Sequence, residues 1–317
     1  QGRLPEAEPV YRQALALAQA NPGPTDPDFP SRLSDLGTIV GMLGRTVEAE
    51  SLMRRAIELE RSNNGSDHPR VATPLGNLGS QLIRQNRFAD AEPLLREALA
   101  IQRKRLPSPH PRIASTIGNL GVAVLRQQRP AEAESLFRQA MAMNHSLHGD
   151  KHPTLAANLL NIAGALEDLR KPAEAMASRR EALAMIVATA GPDHPTTATA
   201  YQNIGVADHL AGRHHEALAG FTAAIAIRKK RLPPGDEQIA VVLSKAGLCL
   251  LELKQYAEAE ARFKESFALY EKLQPQEAEQ RKRLLGQMAQ LYRTTGRATE
   301  ASRFQTLADS VTVMPRK

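Results

Sequence analysis

Tryptophan is absent from the 317 residues, aromatics make up 4%, and cysteine occurs once. A lone cysteine excludes an internal disulfide and fits a reducing compartment; Cys249, between Leu248 and Leu250, reads as a buried small hydrophobe. So few rings leave cohesion to Leu, Ala, Ile and Val contacts. They also leave little to stack on bases, so nucleic acid is not the expected partner despite a formal charge of +7. No apolar run reaches the roughly 18 residues of a membrane span, and no signal peptide opens the chain, so neither membrane insertion nor export is expected and the expected location is the cytoplasm. A nucleophile elbow, a phosphate-cradling glycine loop and a paired cysteine motif are missing too. Neither catalysis nor a cofactor is expected.

What the chain has is a repeat. His-Pro recurs at His68-Pro69, His110-Pro111, His152-Pro153 and His194-Pro195, always 42 residues apart, and Asn77, Asn119, Asn161 and Asn203 recur in step. An alanine holds one phase throughout, from Ala7 and Ala49 through Ala91, Ala133, Ala175, Ala217 and Ala259 to Ala301. A fixed period of this size predicts a stacked array occupying the whole chain. Within one repeat Val71, Leu75, Leu78 and Leu82, then Ala91, Leu94, Leu95 and Ala98, recur at three- and four-residue steps, which predicts two amphipathic helices. Proline suits the first turn of the first helix, with Asp67 or His68 as its cap. Gly44, Gly212, Gly296 and Asn86 mark the turn between the two. An acid such as Glu48, Asp90 or Glu132 opens each second helix, where the helix dipole favours it. The basic runs Arg103-Lys104-Arg105 and Arg228–Arg231 close second helices, where cations suit the same dipole.

Gly37, Gly79, Gly121, Gly205 and Gly247 share one interior position of the first helix, with Ala163 and Ala289 completing the series. Helix-interior glycine costs about 1 kcal/mol relative to alanine, so smallness is required there, and a close crossing against the Ala91 phase is the expected reason.

This order of hydrophobic residue, Leu-Gly, small residue and two alanines resembles the tetratricopeptide repeat. The 42-residue length with His-Pro, Asn-Leu-Gly and Glu-Ala-Glu is similar to the kinesin light chain type. The tryptophan often seen early in such repeats is replaced by Leu33, Leu75, Ile117, Leu159, Tyr201, Leu243 and Leu285. The resemblance implies an all-α right-handed solenoid of stacked antiparallel helix pairs. We expect one domain over 1–317, with an unpaired helix at 1–20 and pairs at about 27–62, 69–104, 111–146, 153–188, 195–230, 237–272 and 277–311, as a piece of a longer protein. Repeats of this type resemble arms of bacterial signalling proteins.

In that family first helices line a concave face, which implies that Asn77, Asn119, Asn161 and Asn203 point into a groove. An asparagine amide, donor and acceptor at once, suits the backbone of an extended peptide; it equally suits bonds to neighbouring helices. Thr73 and Ser80 would make the groove small and polar, and Arg84 and Arg126, on the same face, could fork a carboxylate or stand as solvated helix ends. Asp35, Lys245 and Gln287 replace the asparagine towards the ends, so the centre is the expected site. Arg179 departs from a phase otherwise held by Met53, Leu95, Phe137, Phe221 and Phe263.

The expected function is a protein-interaction scaffold that binds a protein or peptide segment of acidic character. Two alternatives are a structural or oligomerising solenoid, and a metal-dependent enzyme at His209 and His215. His215-Glu216 opens like a zincin motif, but Ala219 stands where the second ligand is needed.

Overall fold

The computed structural model describes residues 4–20, 26–273 and 278–311. Among them are fifteen α-helices and no strand. By its internal contacts the chain forms two compact units, residues 1–178 and 179–317, with the boundary inside α9 (Pro172–Ala190). The first unit contains α1 (Leu4–Ala20), the pairs α2 (Phe29–Met42) with α3 (Thr46–Asn64), α4 (Pro69–Arg84) with α5 (Phe88–Arg105) and α6 (Pro111–Arg126) with α7 (Pro130–His148), and then α8 (Pro153–Asp168). The second contains the pairs α10 (Pro195–Leu210) with α11 (His214–Arg231), α12 (Glu237–Glu252) with α13 (Tyr256–Tyr270) and α14 (Ala278–Thr294) with α15 (Ala298–Ser310).

The local chemistry explains these boundaries. His68, His110, His152 and His194 cap α4, α6, α8 and α10: each imidazole Nδ1 accepts from the backbone N–H two residues on, at 3.1 to 3.3 Å. The histidine is therefore the cap, and Asp67 instead accepts from Lys104 at 2.6 Å. Asp236 takes over the capping role for α12, accepting from the Gln238 N–H at 2.8 Å. Each turn within a pair contains one residue of positive φ, and these too are one period apart: Gly44, Asn86, Gln128, Arg170, Gly212, Lys254 and Gly296. Gln128, Arg170 and Lys254 adopt the left-handed region against a steric cost of about 1–2 kcal/mol, so the turn is imposed by the helices on either side of it.

The core of each unit is the seam between helices. In the first unit Val71, Leu75, Leu78 and Leu82 of α4 meet Leu95 and Ala98 of α5 and Ile113 and Ile117 of α6, all buried. In the second, Val242, Leu243 and Ala246 of α12 join Phe221, Ala224 and Ile225 of α11, and a further cluster gathers Phe263, Leu285, Met288, Tyr292 and Phe304. Tyr292 and Phe304 stack at 5.3 Å, making an aromatic end to the last pair. Every helix of a unit packs on the next in sequence, and the first helices also pack on one another, α2 on α4, α4 on α6, α6 on α8, α10 on α12 and α12 on α14. The first helices therefore take the inner side of each stack.

The interior glycines sit where the two helices of a pair cross, and the residue they make room for is not the conserved-phase alanine alone. A Cβ on Gly121 would meet Phe137 Cε1 at 2.6 Å, and one on Gly79 would meet Leu95 Cγ at 2.6 Å. Gly247 and Phe263 repeat the relation at 2.6 Å, and Gly205 and Phe221 at 2.9 Å, with the Ala217 carbonyl 3.1 Å away. Alanine replaces this glycine in the two repeats where the large apolar partner is also lost from the sequence, at Ala163 with Arg179 and at Ala289 with Gln305. The glycine is the hole for a large side chain of the second helix.

Two substitutions test this. Gly121→Leu should lower stability by about 1–3 kcal/mol or more, because Phe137 fills the space a side chain would need. Gly118, three residues earlier in α6, has open space around it, so Gly118→Ala should raise stability by about 0.5–1 kcal/mol through helix propensity alone. Thermal and urea unfolding of both variants check the pair; equal effects at the two positions would refute the crossing.

Candidate functional site

On the inner side of the first unit, α4, α5 and α6 enclose a cleft of about 160 Å³, lined by Thr73, Asn77, Ser80, Gln102, Arg112 and Asn119 among others. Four of the residues singled out by the sequence meet here: Thr73, Asn77, Ser80 and Asn119. The Asn77 amide donates to Ser34 Oγ at 2.9 Å, and that of Asn119 to Ser80 Oγ at 2.7 Å. Each asparagine thus ties its helix to the first helix of the preceding repeat, while its carbonyl oxygen accepts nothing among the described residues. Gln287 makes the equivalent link in the second unit, accepting from Ser244 Oγ at 2.6 Å. Asn161 is half-buried on α8 and outside the lining, and Asn203, in the second unit, is exposed. Arg84 and Arg126 are exposed at the ends of α4 and α6; Arg84 donates to Gln81 of its own helix, and neither lines the cleft.

Two further lining residues are not among those singled out by the sequence, Arg112 at the start of α6 and Gln102 from α5. Arg112 follows the His110-Pro111 cap, and its Nη1 reaches Thr73 Oγ1 at 3.4 Å. Its counterpart one repeat earlier, Arg70, is paired with Asp28 at 3.0 Å, but the residue in that relation to Arg112 is Arg70 itself. Among the described residues Arg112 is thereby left without a carboxylate, at the edge of the cleft. Gln102 comes from α5, is 4% exposed, and its Oε1 has no hydrogen-bond partner. A buried unmatched acceptor is costly, and here it borders an opening large enough for a donor to enter.

Gln102 belongs to a series that the sequence contains and that apolar periodicity conceals. At one phase of the second helices stand Glu60, Gln102, Asn144, Arg228 and Tyr270, interrupted by Ile186 between Asn144 and Arg228. Asn144 donates to Asn158 Oδ1 of the next first helix at 2.8 Å, and Arg228 donates to Gln202 Oε1 at 2.6 Å and to the Gln238 carbonyl at 2.9 Å. Burial pulls the Arg228 guanidinium below its ordinary value. Glu60 is 1% exposed; it accepts from Asn64 at 2.8 Å through one oxygen while the other has no partner. Burial raises its carboxyl above the usual range.

The outer side is chemically different. Arg87 joins Glu50 at 2.6 Å and Asp90 at 2.7 Å; Arg129 joins Glu92 at 2.9 Å, and Arg96 joins Glu132 at 2.7 Å. In the second unit Arg297 joins Glu260 and Glu300, both at 2.8 Å. The acids opening the second helices therefore serve ion pairs as well as the helix dipole. Met176, Leu218 and Ser302 replace the glutamate of this ladder in three repeats. The basic runs are absorbed in the same way: Lys104 pairs with Asp67 at 2.6 Å, Lys229 with Glu265 at 2.5 Å and Lys230 with Asp193. That distribution does not favour a polyanion.

His215 is exposed, and His209 meets different partners from those the zincin-like motif suggests. His209 Nδ1 lies 3.3 Å from His214 Nδ1 and 3.3 Å from Cys249 Sγ. Cys249 is buried as expected of a small hydrophobe, and burial pushes its thiol up to about 12.

Comparison with known proteins places these features. A family model described as tetratricopeptide repeat matches residues 1–59, 31–104, 112–186 and 154–230. No curated protein matches the chain in sequence. Among solved structures, nearly identical TPR-like repeats of a Podosopora anserina kinesin light chain are 22% identical, with TM-score 0.58 over 65% of this chain and 97% of that one. BtubC (BKLC) from P. vanneervenii is 18% identical, with TM-score 0.58 over 87% and 95%. The apo form of RapI is 10% identical, with TM-score 0.69 over 98% and 92%. At these identities the likeness is one of fold.

The raised Glu60 carboxyl has a defined pH signature. The folded chain holds that proton more tightly than the unfolded chain, so the native state is unpenalised below the unfolded pKa and loses stability as pH rises through the raised folded value. Glu60→Gln should therefore melt higher than the parent at neutral pH, with the gap closing on acidification. A gap that is constant with pH, or that widens in acid, contradicts a buried, protonation-sensitive Glu60.

Proposed function

Because the chain belongs to the tetratricopeptide repeat family, we propose that this protein-interaction scaffold grips an extended, acidic peptide segment of a partner protein in the cleft formed by α4, α5 and α6. The observation that carries this reading is the unmatched Gln102 Oε1 beside the open carbonyls of Asn77 and Asn119. Three acceptors around one opening suit the N–H groups of a peptide backbone, which an extended chain presents at intervals of about 3.3 Å per residue. Arg112 supplies the charge: a guanidinium with no carboxylate of its own favours an aspartate, a glutamate or a chain terminus there. Thr73 and Ser80 keep the walls small and polar. Asn161 on α8 extends the same first-helix series within the unit, and Asn203 stands in the equivalent phase of the second unit. Arg84 and Arg126 are second-rank cations in this reading, exposed and outside the lining.

The two kinds of contact carry different signatures. Against a peptide captured from an acidic library, Gln102→Leu and Asn119→Ala should each weaken binding by about 0.5–1.5 kcal/mol with little change in salt dependence, since they remove neutral hydrogen bonds. Arg112→Ala should weaken binding and also flatten its dependence on ionic strength, because a charge pair is screened. Titrations at low and high salt, on variants of unchanged helical content, check both. Binding that survives all three changes and is lost on changing Arg103 or Lys229 instead would move the site to the ends of the second helices.

A further inference from the structure

We infer that His209, His214 and Cys249 form a binding site for one zinc ion, independent of the peptide cleft. Their ligating atoms all lie within 4.8 Å of one another. Zinc bonds of about 2.0–2.1 Å to imidazole and 2.3 Å to thiolate, at tetrahedral angles, put neighbouring ligand atoms about 3.3–3.6 Å apart. The two separations of 3.3 Å around His209 Nδ1 are already in that range.

The fold supports each ligand. His209 lies at the end of α10 and His214 is the first residue of α11, and the short turn between them is braced by Arg213, whose Nε donates at 2.7 Å to the buried carboxylate of Asp208. Cys249 comes from the next first helix, α12, so a bound ion would join two successive repeats of the second unit. Burial, with help from His214, lowers His209 below its ordinary value, which keeps its lone pair available at neutral pH. Glu252 and Lys245, one turn either side of Cys249, act on the cluster with opposite sign. The cation must therefore be held by ligand bonds rather than by net charge. Binding replaces the thiol proton, which passes to solvent as the sulfur–zinc bond forms.

Two imidazoles and a thiolate are too soft a set for calcium or magnesium and suit zinc. Three protein ligands leave the fourth position to water. The half-exposed His209 also lines a separate cleft of about 290 Å³ with Ser244, Lys245, Arg283 and Gln287, which gives the site a path to solvent.

The test titrates the chelator-stripped chain with zinc chloride against a chromogenic chelator, then with cobalt chloride for its spectrum. The expected result is one ion per chain, a higher melting temperature with zinc, and a cobalt spectrum of four-coordinate type with a thiolate charge-transfer band. Cys249→Ala should remove that band, and Cys249→Ala and His214→Gln should each weaken binding by more than the roughly 10–100-fold typical of losing an outer-shell partner. His215→Ala, one residue along and exposed, should bind as the parent does. If Cys249→Ala loses helical content, the half-exposed His214→Gln carries the test alone. Less than one ion per chain, equal affinity in His214→Gln, or a dependence on His215 would overturn the site.

Discussion

The structure depends on how closely the two helices of a repeat can cross. Glycine at Gly79, Gly121, Gly205 and Gly247 lets Leu95, Phe137, Phe221 and Phe263 bury their full volume against backbone, and a single added Cβ would fall within 3 Å of each. Glycine is unfavourable in a helix by about 1 kcal/mol, a cost offset by the burial of a whole large side chain, which contributes about 1.5–3 kcal/mol. Three of the few phenylalanines of this tryptophan-free chain, Phe137, Phe221 and Phe263, are used at this one phase. With the pair locked in this way, the turn has little freedom, and even Gln128, Arg170 and Lys254 are driven to positive φ.

Tight pairs also divide the polar chemistry between two sides. The first helices pack on one another through small residues and serine–asparagine bonds, so the inner side is amide-rich, with Arg112 as a charge at the edge of its cleft. The second helices are joined by long Arg–Glu pairs that accommodate a wider separation. Between these layers runs the polar series of Glu60, Gln102, Asn144 and Arg228, all buried except the half-buried Asn144. Asn144 and Arg228 are satisfied by the next first helix, at Asn158 and at the Gln238 carbonyl. Gln102 is not, and it is the member that borders a cleft. Glu60 Oε1 is unmatched as well, so the candidate site lies where an unmatched acceptor of the series also borders a cleft.

Much of the fold was legible because the period of 42 residues runs without insertion and repeats most of the caps, turns and crossings. The sequence offered Asp67 or His68 as the cap; geometry selected the histidine, since its Nδ1 reaches the N–H two residues on while Asp67 is held by Lys104. It pointed to alanine as the partner of glycine, whereas the tight contact is with the large residue four positions later, a distinction that depends on how deeply each side chain projects. Thr73, Asn77, Ser80 and Asn119 could be assembled from one helical face. Gln102 could not, because it arrives from the second helix; Arg112 shares the face of Asn119, two turns earlier on α6, but matters only through the missing carboxylate opposite it. The sign was nonetheless present, as polar residues recurring in an apolar phase. For His209, His214 and Cys249 no repeat signal exists: the trio occurs in one place, and 40 residues separate His209 from Cys249.

The glycine crossing is measured most directly by a double-mutant cycle between Gly121 and Phe137. Gly121→Ala in the parent forces a Cβ against the ring, whereas in Phe137→Ala the space is empty and the same change should be neutral or slightly stabilising. The account predicts a coupling energy of about 1 kcal/mol or more, from urea unfolding of the parent, both single variants and the double variant. Additivity within about 0.3–0.5 kcal/mol would contradict it.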